Sequence, residues 1–198
     1  VQNTTAPGST SRVFVVNSGV TATISDLTLT GGWADPQGGG ILNSGTLNVT
    51  NTTISGNIGT SKGGGIWSGG TLNVTNSTIS GNTGGDYGGG IHNDFGTVSV
   101  TNSTVSGNNA DGARGGGISA FGGTVNVINS TVSGNSASSS QGGGIFHEFG
   151  GTVNLTNSTI SGNTSNSGDG GGVYNGPGNT LNARNTIIAG NTAPTGPD

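Results

Sequence analysis

Most apolar residues in the repeated stretches of this chain alternate with polar ones. In Thr46-Leu47-Asn48-Val49-Thr50 every second position is apolar, and Thr53-Ile54-Ser55 repeats the rule. Ile41, after the glycine triplet Gly38–Gly40, is the apolar member of a third short segment. Period-two alternation in such short runs, punctuated by Gly and Asn, predicts short strands joined by turns. The apolar positions also recur down the chain as columns. One runs Ile41, Ile66, Ile91, Ile118, Ile145, Val173; another Leu47, Leu72, Val98, Val125, Val153, Leu181; a third Ile54, Ile79, Val105, Val132, Ile160, Ile188. Successive steps are 25 to 28 residues, giving six clear repeats behind an irregular leading one, VFVVNSGVTATISDLTLTGG. The extra residues fall before the glycine triplet or between the Ile and the following Gly-Thr, where loops are expected.

Three strands of this length cannot close a sheet alone, but they can as stacked coils, each strand pairing in parallel with its counterpart in the next. The predicted fold class is therefore all-β: a right-handed parallel β-helix of about 6–7 coils of 25–28 residues, with three short strands per coil. The hand follows the general preference of parallel crossovers. At ~4.8 Å per coil the rod would be roughly 30–35 Å long. A helical reading fails because Gly costs about 1 kcal/mol against Ala in a helix and no three-to-four spacing persists. Leucine is too scarce for a leucine-rich repeat. The expected division is an N-terminal extension or partial cap over 1–12, one β-helix domain over 13–191, and over 192–198 a tail or the start of a further coil. Unpaired strand edges at the two ends predict more chain or self-association there.

Composition narrows the function. With 44 Gly in 198 residues and 27% hydrophobic residues the chain nears the disordered range, but a net charge of −4 and strict periodicity argue for a folded solenoid. Four basic against eight acidic residues leave no electrostatic footprint for nucleic acid or an anionic membrane. No apolar run is long enough to span a bilayer, and the absence of Cys removes disulfide and thiolate-metal chemistry. No cofactor or metal is expected. Without a leader or initiator Met, the chain is expected to be a processed product or part of something longer.

The GGGI motif, read as Gly63-Gly64-Gly65-Ile66 and its equivalents with GGGV at Gly170–Val173, occurs with a second one, Ile54…Asn57, Ile79…Asn82, Val105…Asn108, Val132…Asn135, Ile160…Asn163 and Ile188…Asn191. Together they resemble the GGAI and FxxN repeat of the chlamydial-type polymorphic outer-membrane proteins and related bacterial surface β-helices. The resemblance covers about residues 13–191, with Gly for Ala and Ile or Val for Phe. It implies a secreted or cell-surface protein acting in adhesion. The membrane barrel that closes such autotransporters has no counterpart here.

Four groups of residues are candidates for chemistry. Asn51, Asn76, Asn102, Asn129, Asn157 and Asn185, with Asp26 upstream, and Asn57, Asn82, Asn108, Asn135, Asn163 and Asn191 stand at turns. They are expected to form structural amide ladders between coils. As glycosylation acceptors the ladder residues are disfavoured, with Asn163-Thr164-Ser165 the more accessible sequon. The outward face Thr46, Asn48, Thr50 and its equivalents raises ice binding, against which Ile128, Arg184 and the Asn column count. The residues after the triplet's Ile, notably Trp67, His92, Phe146 and Tyr174, are expected outward and exposed, as contacts for a partner or a polysaccharide. Phe95, Phe121 and Phe149 are expected to stack at one corner. Finally, Asp94 and Glu148 with His92 and His147 are expected in equivalent loops two coils apart, the one place for the carboxylate pair of a carbohydrate-active enzyme. The resulting expectation is a non-catalytic structural or adhesive surface protein, possible fibre assembly included, with the polysaccharide lyase or hydrolase, the carbohydrate-binding module and the ice-binding protein as rivals.

Overall fold

The computed structural model describes residues 11–112 and 114–196. The chain is an all-β parallel β-solenoid of about six turns, with three parallel sheets and three strands per coil. Strands of one coil pair in register with their equivalents in the next: Thr71–Thr75 lies between Thr46–Thr50 and Thr97–Thr101, and Thr78–Ser80 between Thr53–Ser55 and Thr104–Ser106.

The sheets divide the repeat differently from its sequence pattern. Segments such as Ile41–Asn43 and Thr46–Thr50 belong to one wide 12-stranded sheet, and Thr53–Ser55 to a seven-stranded sheet. The third sheet is six-stranded, built of two-residue strands such as Ile58–Gly59, Thr83–Gly84 and Asn109–Ala110 in the stretch expected to be loop. The second expected loop, between the Ile and Gly-Thr, is strand in two coils, where Ile118–Ile128 and Ile145–Thr156 run unbroken. The extra residue is absorbed in a register shift between Phe121 and Gly123, where Gly122, Gly123, Gly150 and Gly151 all have positive φ.

The core is one narrow file of inward columns. Ile41 to Ile145, Leu47 to Val153 and Ile54 to Ile160 are fully buried, while their last-coil members Val173 and Ile188 are half-buried and Leu181 is exposed. Opposite walls meet at the triplet. A Cβ on Gly89 would fall inside the contact distance of the Asn109 carbonyl oxygen, so backbone packs on backbone and only Gly fits. The preceding Gly88 turns the chain with φ +64°, a conformation an L side chain resists. Of the segments flanking the domain, Ser11 bridges Trp33 and the Arg12 guanidinium donates to the carbonyls of Gln37 and Gly38. Thr192 and Thr195 continue parallel pairing with Thr164 and Asp169. Residues 1–10 of the expected extension and 197–198 of the tail lie outside the described residues. Among the described residues no helix is long and apolar enough to cross a membrane.

Candidate functional site

Polar side chains are arranged in ladders of distinct character. The buried one runs from Asn57 to Asn191. The Oδ1 of Asn82 accepts from both the backbone N and the Nδ2 of Asn57, each at 3.0 Å, and the Asn82 Nδ2 donates onward to Asn108 Oδ1 and to the Ile54 carbonyl. Asn163, expected to be an accessible glycosylation acceptor, is a fully buried member of this ladder, because its amide caps the turn from inside. The other series, Asn51 to Asn185 with Asp26, is exposed at left-handed corners with φ between 48° and 58°. Short amide side chains tolerate that conformation. Amide-to-amide bonds join Asn157 to Asn129 and Asn185 to Asn157. The ladder in this series thus runs along the exposed corners, not inside the coil.

Two further ladders lie outside the sequence expectations. Thr52, Ser77, Ser103, Ser130 and Ser158 are buried just after each corner, where each of the last four hydroxyls accepts from the backbone N one coil before, as in Ser77 N to Ser103 Oγ at 3.0 Å. Their signal in the sequence is a hydroxyl residue after every corner Asn. On the outer face of the wide sheet, Asn73 donates to Asn48, Asn126 to Ser99, Asn154 to Asn126 and Asn182 to Asn154. The middle column of the Thr-Asn-Thr face is thus satisfied within itself.

The outward column beside the triplet breaks the regularity. It runs Leu42, Trp67, His92, Ser119, Phe146, Tyr174 in register. His92, Ser119 and Phe146 are fully buried, and Trp67 and Tyr174 half-buried, so the expectation that His92 and Phe146 are exposed is wrong. The physical reason is a cover supplied by the residues before each triplet. Tyr87 lies 5.9 Å from His92 between ring centroids and 4.7 Å from Phe121; Lys62 Nζ sits 5.0 Å from the Phe121 centroid, and the Arg114 guanidinium 5.1 Å from that of Phe146. Phe146 and Tyr174 stack nearly parallel at 5.3 Å. Beneath this cover, Trp67 Nε1, both nitrogens of His92 and Ser119 Oγ have no hydrogen-bond partner. Burial, and then the charge of Lys62, push the His92 pKa down to about 3.

Of the expected stack of Phe95, Phe121 and Phe149 only the Phe121–Phe149 pair forms. Phe121 pairs in register with Asp94 on one side and Glu148 on the other, so Phe95 and Phe149 lie one position further along. Phe121 is half-buried, 5.0 Å edge-to-face from Phe149 and 4.9 Å from His92. Phe95 and Phe149 are 65% and 58% exposed, with φ of 59° and 68°. Among the described residues nine non-glycine positions have positive φ; the other seven are Asn or Asp. A bulky side chain there costs about 1–2 kcal/mol, so each of these two combines strain with exposure.

The candidate quartet of acids and histidines is not assembled. Asp94 and Glu148 lie in the wide sheet, not in loops, and Phe121 stands between them in register. Glu148 is ion-paired with Arg114 at 3.0 Å. His147 is buried three positions after the triplet, on the inward column with Asn93 and Ala120, its Nδ1 2.9 Å from Asn175 Oδ1. Alternation puts it on the opposite face from His92. Among the described residues no group of three or more His, Asp or Glu is placed to hold a metal ion.

Fold and site together define a class, a parallel β-solenoid with one irregular aromatic strip on its wide sheet. Compared with protein-family models, with curated proteins and with solved structures, the chain matches none.

Proposed function

We propose that this chain is part of an extracellular or cell-surface β-solenoid with a structural and adhesive role, a rigid rod that presents one variable strip to partners. The observation that carries this reading is the split between constant and variable positions. Inward columns and polar ladders repeat coil after coil, whereas the column beside the triplet changes from Leu42 to Trp67, His92, Ser119, Phe146 and Tyr174. Constant positions hold coil to coil; the changing ones gather on one part of one face, where His92, Ser119 and Phe146 are buried and the surface left for a partner is their cover of Lys62, Tyr87 and Arg114 with the half-buried Trp67 and Tyr174. The likeness of GGGI and Ile-Ser-Gly-Asn to the polymorphic outer-membrane repeat supports the surface location. Among the described residues, Thr21–Ser25 and Thr180–Arg184 pair on one side only, edges on which a second copy would extend the rod into a fibre.

Display of the chain on a non-adherent bacterium tests the reading. Adherence to host cells or polysaccharide-coated wells is expected to rise over the parent strain, and to fall when Trp67 and Tyr174 are both replaced by Thr. Adherence no greater than the parent's removes the adhesive role.

A further inference from the structure

We infer that the third to fifth coils carry a binding ridge for a neutral, extended glycan, formed by Phe95, Phe121 and Phe149 with Asp94 and Glu148. The inference rests on the adhesive reading for its setting and names the ligand class of that surface.

Two register columns make the ridge. In one, Asp94, Phe121 and Glu148 follow each other: carboxylate, ring, carboxylate. One position along, Phe95 and Phe149 flank Gly122, whose Cβ would strike the Phe95 ring. The result is a chequered surface of rings and carboxylates. A pyranose presents an apolar C–H face and a rim of hydroxyls in one unit, so it can lie on a ring while a neighbouring carboxylate accepts from its hydroxyls. Phe95 and Phe149 are two coils apart, about 9–10 Å along the axis at the spacing of paired strands. That is close to the disaccharide repeat of an extended β-1,4-linked chain, so both could carry sugars of one strand running along the rod.

Other occupants fit less well. A lipid or apolar peptide needs contiguous apolar surface and would strip water from Asp94 and Glu148. Nucleic acid or a polyuronate would need a strip of net positive charge. Arg114 neutralises Glu148 at 3.0 Å and Lys62 sits against the Phe121 ring, so the strip has no net charge to select an ionic ligand.

Independent features mark the same place as built for something other than folding. Every other left-handed non-glycine corner among the described residues carries Asn or Asp, and only these two carry Phe, held exposed. Directly under Phe121 lies His92, its two ring nitrogens buried without partners, beside the unpartnered Trp67 Nε1 and Ser119 Oγ. Unsatisfied buried groups and strained backbone are uncommon in a fold-only surface and tend to collect at functional sites.

The whole chain is run in native gels cast with a neutral β-1,4-glucan, β-1,4-xylan or polygalacturonate, with cello-oligosaccharide titrations in solution. Retardation by a neutral glycan is expected, weakened about tenfold by Phe95→Asn or Phe149→Asn and abolished by the pair, the scale of losing one buried ring contact. Asn is the residue the other corners use, so the variants are expected to melt no lower than the wild type. Phe149→Trp keeps a ring in place and is expected to change fluorescence on adding neutral oligosaccharide, a readout that does not depend on the Asn variants folding. No retardation by the neutral glycans, retardation unchanged in the double variant, or retardation by polygalacturonate alone would overturn the inference. So would a dimer in sedimentation that the double variant dissolves while no glycan binds. A displayed chain that adheres to host cells without binding glycan refutes the ridge and leaves the adhesive role standing; glycan binding without adherence does the reverse.

Discussion

Lowering the pH from 7.5 to 4 forces a choice on His92. Its ring is buried among Trp67, Tyr87, Ser119 and Phe121 with Lys62 close by, and neither nitrogen has a partner. A proton there would create a charge with nothing to receive it, beside a charge of the same sign. Burial first and Lys62 second therefore hold the folded pKa at about 3 against an ordinary 6.5. Between those values the unfolded chain binds the extra proton, so stability is complete above pH 6.5 and is lost as the pH falls toward 3. Linkage sets the loss from this one group at about 2 kcal/mol by pH 5 and about 3 kcal/mol by pH 4. Urea unfolding of wild type and His92→Leu at both ends of the range isolates it, because acids elsewhere titrate equally in both proteins. The wild-type midpoint is expected to fall more steeply with acid than the variant's, and Lys62→Met to lie between them. An imidazole resonance for His92 that titrates near 6.5, or parallel losses in wild type and His92→Leu, would refute the reasoning.

Two further predictions concern the scaffold. Asn108→Ala in the buried ladder removes the acceptor of Asn82 N and Nδ2 and the donor to Ile79 O and Asn135 Oδ1; a loss of about 3–5 kcal/mol in urea unfolding is expected, whereas Asn102→Gly at the exposed corner, with φ 49°, should change stability by only a few tenths. Gly89→Ala places a methyl against the Asn109 carbonyl, and with backbone on both sides neither wall can yield; circular dichroism is expected to show loss of cooperative melting, and a melt matching wild type would sink the backbone-contact account.

The repeat made the core legible because it fixes register as well as alternation. Once Ile66, Ile91 and Ile118 are seen at one place in successive repeats, stacked coils are the only arrangement that buries all three. The third sheet leaves no such pattern, for the opposite reason: Ile58–Gly59 and Thr83–Gly84 are too short to alternate. The hydroxyl column fell outside the alternation because the left-handed corner resets it. Asn76 faces out and Ser77, its neighbour, is buried, so period-two counting across the corner fails. Alternation misplaces His92 and Phe146 because it reports a side of the sheet, not whether that side is covered. The cover comes from Lys62, Tyr87 and Arg114, which pair from coil to coil as a string of isolated bridges and carry no periodic signal.

The same contrast explains where function should be sought. A ladder residue such as Asn108 is held by neighbours on both sides, so any departure from the repeat there costs two coils at once. Departures survive only where the outward face is free of such coupling, and in this chain they cluster in one strip from Trp67 to Tyr174. Within the strip they are not the residues that stability alone favours. Thr or Ser at the outward positions would stack as well as their counterparts elsewhere do, and Asn or Gly at positions 95 and 149 would relieve the backbone. Instead the chain holds two exposed rings at strained corners and an unpartnered imidazole beneath the ring between them. A fold selected for stability alone would shed all three features by single substitutions; their joint presence at one spot is the physical reason to treat that spot as the working surface.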